Sequence, residues 1–174
     1  MRKGLVIVNT GNGKGKTTAA LGILFRSYGR GLRSCVLQFL KAEKSKTGEY
    51  LAAQKLGIEW HYCGDGFVFD PEEALSSAEV ARAGWEMAKE KIASNDYDLI
   101  ILDEMIYPLT FGWLKTDQVI DWLKANKPAD LHLIITGRNA PQALAEYADL
   151  VTEMKEIKHP FHDQKLSAQP GIDF

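Results

Sequence analysis

The 174 residues are 45% apolar and 25% charged, with 15 Gly and 6 Pro, a composition that excludes disordered, collagen-like and low-complexity classes. Lys+Arg 21 against Asp+Glu 23 leaves a net charge of -2, too balanced for the basic footprint of a general nucleic-acid binder. No apolar run exceeds four residues (5–8 and 99–102 are the longest), so neither a membrane span of ~20 residues nor a signal-peptide core of ~7–15 is expected.

At ~150 residues per domain, one domain over 1–174 and a cytoplasmic setting are the expectation. Leu5–Val8 is a β-branched run directly before a glycine cluster, the pattern of a strand buried on both faces. Thr17–Arg30 reads as a helix, stopped by Gly29 and Gly31. A strand is expected at Ser34–Leu40, a short helix at Thr47–Leu56 closed by Gly57, and a strand at Glu59–Tyr62. Asp70 and Pro71 suit the N-cap and first turn of a long helix to about Ala93. Then come a strand at Asp98–Asp103, a helix at Thr116–Ala125, a strand at Leu131–Thr136, a helix near Gln142–Tyr147 and a last strand at Leu150–Met154. Apolar strands alternating with helices predict an α/β fold with a mostly parallel sheet of about six strands, covered on both faces. The tail from Lys155 has no readable periodicity. Cys35 and Cys63 lack a CxxC partner and read as reduced core residues. Trp85, Trp113 and Trp122 read as core; His159 and His162, without a third ligand, read as surface or capping residues.

Gly11-Asn12-Gly13-Lys14-Gly15-Lys16-Thr17-Thr18 lies between the first strand and the first helix. Glycines let backbone N–H groups approach phosphate oxygens, and the helix start adds its positive dipole end. Lys16 supplies a mobile charge to the phosphates, and the Thr17 hydroxyl is placed to ligate Mg²⁺. The loop departs from GxxxxGK[ST] at its first position, where Thr10 stands in place of glycine. The acidic strand end Asp103-Glu104 should face this loop and hold Mg²⁺ directly or through water. ATP and Mg²⁺ are therefore expected, but not the reaction: a RecA-like hydrolase, a small-molecule kinase and a non-catalytic binding module all stay open. Arg138, after the fifth strand, reads equally as a nucleotide contact or a solvated loop residue.

Beyond the loop, the chain resembles the P-loop type of ATP:corrinoid adenosyltransferase. The resembling stretches are Thr10–Ala20, Val36–Phe39, Gly64–Phe67, Leu102–Glu104, Ile135–Arg138, Ala148–Glu153, Lys158–Phe161 and Ala168–Phe174, in order along almost the whole chain. The family has Thr at the Thr10 position, so the loop departure becomes an agreement. The resemblance implies a RecA-like fold, a homodimer, ATP as co-substrate bound in reversed sense, Mg²⁺ or Mn²⁺, a corrinoid substrate and an electron donor such as reduced flavodoxin. It implies transfer of the 5′-deoxyadenosyl group to Co(I) with release of inorganic triphosphate. Thr17 and Glu104 would hold the metal, with Asp103 a direct or indirect partner, and Arg26 would contact phosphate or ribose. Phe67 and Phe69 match aromatic positions facing the lower side of the corrinoid, although a Gly-Phe-Val-Phe stretch by itself reads as a strand or loop packed into the core. Longer members carry an N-terminal arm over the corrinoid; here cover is expected from the C-terminal tail, or the site is open.

Overall fold

A computed structural model describes residues 3–40, 47–64 and 71–172, with the backbone alone for 71–75. Among them, strands β1 (Val6–Thr10), β2 (Ser34–Phe39), β3 (Glu59–Cys63), β4 (Leu99–Asp103), β5 (His132–Thr136) and β6 (Leu150–Glu153) form one sheet in the order β3-β2-β4-β5-β1-β6. Every neighbouring pair is parallel. The helices are α1 (Lys16–Gly29), α2 (Gly48–Leu56), α3 (Pro71–Ala93), α4 (Ile106–Thr110), α5 (Thr116–Asn126), α6 (Gln142–Tyr147) and α7 (Pro160–Gln164).

The continuous apolar strands divide their residues between two cores, as a sheet covered on both faces requires. Val6, Val8, Cys35, Leu37, Phe39, Ile100, Leu102, Leu133 and Ile135 face a core completed by Trp85, Ala88 and Ile92 of α3, Val119 and Leu123 of α5, and Leu144 of α6. Ile7, Val36, Leu99, Ile101 and Ile134 point the other way, onto Ala20 and Leu24 of α1. Trp122 packs edge-on against buried Trp85 at 5.5 Å.

The expected elements recur, with ends displaced by one or two residues. Two helices escaped the pattern reading. α4 is one short turn carrying Pro108, too brief to show periodicity. α7 lies in the tail, where Pro160 opens the helix and His159 caps it by accepting from the Phe161 N–H at 3.2 Å. His162 pairs with Glu156 at 2.8 Å, so both histidines have the capping and surface roles expected of a pair without a third ligand. The N-cap expected at Asp70 lies outside the described residues.

Gly84 sits inside α3 where the helix crosses the sheet, and a Cβ there would stand 2.5 Å from Cys63 Cβ and 3.1 Å from the Phe39 ring. Helix propensity favours Gly84→Ala by ~1 kcal/mol, but overpacking costs about 1–3 kcal/mol. Gly84→Ala is therefore expected to lower the chemical-denaturation midpoint, where the same change at an exposed helical glycine would raise it.

Candidate active site

Parallel strands deliver all their carboxyl ends to one edge of the sheet, where ligands of such folds gather. At that edge β1 runs into the glycine loop, β4 into Asp103-Glu104 and β5 into Gly137-Arg138, with β5 lying between the other two. A cavity of about 610 Å³ opens there, lined by Asn12–Thr18, Leu21, Gly48, Glu49, Glu104, Tyr107, Arg138, Gly171 and Ile172. That volume falls in the ~300–1,000 Å³ range of small-molecule sites.

The three loop glycines do different work. A Cβ on Gly11 would fall 2.4 Å from the Met154 carbonyl oxygen, and one on Gly13 2.8 Å from the Lys155 carbonyl carbon. These two let the loop lie against the backbone leaving β6, where Met154 N–H donates to Thr10 and Gly13 N–H to Met154, both at 2.7 Å. Gly15 has nothing within 4 Å of such a Cβ. Its φ of 108° belongs to the left-handed half of the map that favours glycine, and it caps the start of α1. Close approach to a phosphate, read from the sequence for all three, is thus available at Gly15, while Gly11 and Gly13 clear the protein's own chain.

Lys16 is buried, and its Nζ donates to the Gly11 and Gly13 carbonyls, both at 2.8 Å. Burial lowers its pKa from the usual lysine value; Glu104 and Asp103 oppose this, and Arg138 and Lys14 add to it. The Thr17 hydroxyl donates to Asp103 Oδ1 at 2.8 Å. With that hydrogen committed, the remaining lone pairs of Thr17, which lines the cavity, are left to accept. Glu104 lines the same cavity from a left-handed backbone at φ 59°. Thr17 and Glu104 are hard oxygen donors of the kind Mg²⁺ selects. Asp103 lies beneath them, almost fully buried, and does not line the cavity.

Arg138 lines the cleft while its side chain stays solvent-exposed, and its charge is felt by Lys16 and Tyr107. Burial, followed by the Glu104 charge, raises the Tyr107 hydroxyl above its usual pKa. Arg26 is not brought there. It occupies the exposed last turn of α1, ten residues from Lys16 and so about 15 Å along the axis at ~1.5 Å per residue. Phe67 and Phe69 lie outside the described residues. The sequence reading missed Tyr107, Glu49, Gly171 and Ile172 as cavity walls. Tyr107 stands three residues beyond Glu104, a helical offset that would have signalled it had α4 been read.

A model of the ATP:corrinoid adenosyltransferase BtuR/CobO/CobP family matches residues 2–174. The chain is 38% identical to the corrinoid adenosyltransferase of Sinorhizobium sp, over 99% of this chain and 81% of that protein. It is 37% identical to the corrinoid adenosyltransferase of Escherichia coli K12, over 99% and 86% respectively. It is 36% identical to that of Pseudomonas aeruginosa, over 99% and 84%. The chain belongs to the ATP:corrinoid adenosyltransferase family. Its activity is accordingly that of a corrinoid adenosyltransferase, with ATP and a corrinoid as substrates. The hydrolase and kinase readings left open by the loop alone give way. Among the described residues, no helix is long and apolar enough to cross a membrane.

Among the described residues, one cluster away from the cleft has metal-ligand chemistry: Cys35, Glu59 and His61, their ligand atoms within 4.8 Å of one another. A cation is already in place. Lys91 Nζ stands 2.6 Å from Glu59 Oε1, His61 Nε2 lies 2.6 Å from the same oxygen, and the Tyr97 hydroxyl donates to Oε2. Burial alone would raise the Glu59 carboxyl, but its bonds to Lys91, Tyr97 and His61 prevail and pull it down to about 2. Burial pushes the Cys35 thiol up to about 12, so it stays protonated. The cluster is a brace between β3 and the end of α3. A carboxyl depressed on folding stabilises fully above its unfolded value of 4.5 and loses that contribution as pH falls toward 2. In chemical denaturation, Glu59→Gln is expected to be less stable than the parent at neutral pH, with the gap closing across that acid interval.

Proposed function

We propose that this cleft holds ATP by its triphosphate and that Co(I) of the corrinoid attacks the ribose C5′. A Co–C bond forms with the electron pair of cobalt, the C5′–O bond breaks, and the oxygen leaves with its pair as inorganic triphosphate. Such a reaction requires positive charge around a leaving group and no general base. The observation that carries the reading is that Lys16, Thr17, Glu104 and Arg138 line one cavity at the mouth of the glycine loop.

In this reading the Lys16 ammonium turns from the Gly11 and Gly13 carbonyls toward the phosphates, joined by the N–H groups from Gly15 to Thr18 at the start of α1 and by Arg138. Negative charge growing on the leaving oxygen is stabilised by these donors, which are in place before the bond breaks. Thr17 and Glu104 hold Mg²⁺, or Mn²⁺, with Asp103 acting through Thr17; the metal supplies further neutralisation of the triphosphate. The resemblance supports a homodimer in the cytoplasm, reduced flavodoxin as the electron donor, and Phe67 and Phe69 as an apolar floor that keeps water and the lower ligand from cobalt. The phosphate or ribose contact that the resemblance implies for Arg26 is not carried into this reading, because that residue stands in the exposed last turn of α1, away from the cavity lining.

The test is anaerobic incubation with ATP, Mg²⁺ and chemically reduced cobalamin, followed by the visible spectrum and phosphate analysis. Adenosylated product with triphosphate is expected; ADP, with no change in the corrinoid spectrum, would indicate a hydrolase. Lys16→Ala should remain folded and lose ~10²-fold or more in kcat, the scale for removing a major charge stabiliser. Glu104→Gln, isosteric but uncharged, should raise the Mg²⁺ concentration for half-maximal rate. A magnesium titration superimposable on the parent's would remove Glu104 from the metal site.

A further inference from the structure

The last inward-facing residues of four neighbouring strands form a polar row across the sheet. Gln38 pairs in register with Asp103, and Asn9 with Thr136. Each row member follows, two residues on, an apolar residue of the α1-facing core: Val36, Ile101, Ile134 and Ile7. All four polar residues are at most 4% exposed, and none lines the nucleotide cavity. Burying four polar side chains on an apolar floor is costly unless each is bonded.

Their bonds run to the site. Asp103 accepts from Thr17 at 2.8 Å and Thr136 at 2.7 Å through Oδ1, and from Gln38 Nε2 at 2.9 Å through Oδ2. Thr136 Oγ1 in turn accepts from the Glu104 backbone N–H at 2.9 Å. Thr136 thus gives its one hydrogen to Asp103 and uses a lone pair to accept from the Glu104 amide. The same Asp103 oxygen accepts from Thr17, which turns the Thr17 hydrogen inward and its lone pairs toward the cleft. The same Thr136 oxygen pins the amide of Glu104, a residue in a left-handed conformation unusual for a glutamate.

We propose that Gln38 and Thr136 are positioning residues for the transfer reaction. Acting through Asp103 and the Glu104 backbone, they set the two oxygen ligands, Thr17 and Glu104, in the orientation that receives the nucleotide's cation. This rests on the proposed function, in which Thr17 and Glu104 hold that cation. Partners that orient ligands typically change metal affinity by ~10–100-fold when removed.

The experiment measures Mn²⁺ binding in the presence of ATP by electron paramagnetic resonance, alongside thermal unfolding, on the full chain. Thr136→Val keeps the shape and deletes the hydroxyl, Thr136→Ser restores it, and Gln38→Met removes one donor to Asp103 while filling the same space. Mn²⁺ affinity about tenfold weaker in Thr136→Val and Gln38→Met, with recovery in Thr136→Ser, is the expected result. Variants that melt earlier yet bind Mn²⁺·ATP as the parent does would overturn the proposal and leave the row a purely structural network. If Thr136→Val does not fold, Gln38→Met decides by the same comparison. Parent protein in which Glu104→Gln leaves Mn²⁺ binding untouched would instead overturn the metal assignment beneath it, a failure that the Thr136 and Gln38 variants alone would not produce.

Discussion

A strand buried on both faces has no solvent into which a polar side chain can turn, so polarity must wait for the strand to end. In this sheet all strands run the same way, and the wait ends along one edge. Val36, Ile101, Ile134 and Ile7 form the last apolar row; Gln38, Asp103, Thr136 and Asn9 follow directly. The chemistry of the molecule is concentrated at that boundary because burial forbids it lower down. Each polar group there must find a partner, and the partners available are one another and the start of α1, where Asn9 Nδ2 donates to the Lys16 carbonyl at 3.3 Å.

The glycine loop is held from behind as much as it is open in front. β6 lies at the sheet margin beside β1, and the chain leaving it bonds to Thr10 and Gly13. Bracing of this kind reduces the conformational freedom a loop would otherwise lose on binding a triphosphate. Lys16 is likewise pre-placed, its charge satisfied by two loop carbonyls until a stronger acceptor arrives. The C-terminal segment contributes Gly171 and Ile172 to the cavity wall, so these two residues share one cleft with the glycine loop.

The two edges of the sheet treat similar chemistry differently. At the amino end of β3, Glu59 is surrounded by Lys91, Tyr97 and His61, and its charge is consumed internally. At the carboxyl end, Glu104 faces a cavity it shares with Lys16, Thr17 and Arg138. The difference lies in what surrounds the carboxylate. Glu59, bonded to an ammonium between β3 and α3, acts as a brace, whereas Glu104 lines a cleft together with the Lys16 and Arg138 side chains and the Thr17 hydroxyl.

The sequence by itself determined the α/β class, the strand and helix order and the loop, because these depend on local signals: short continuous apolar runs for strands, helical periodicity between them, and glycine placement. The resemblance carried by the motifs from Thr10 to Phe174 extended this to the family and its reaction. α4 and α7 escaped because each is a single turn without a period to read. Tertiary structure decided which residues meet. The sequence pairs Asp103 with Glu104 as neighbours, yet the pleat and the turn after β4 send one beneath the sheet edge and the other into the cleft. It ranks Gly11, Gly13 and Gly15 alike, yet the path of the chain after β6 separates them. Gln38 and Thr136 look like ordinary strand residues, and only the β2-β4-β5 pairing brings both to Asp103, across 65 and 33 residues of sequence. Arg138 is exposed, as a loop residue can be, yet the position of β5 between β4 and β1 sets it at the wall of the cleft. Long-range pairing leaves no local trace in a sequence, which is why these assignments had to come from the folded chain.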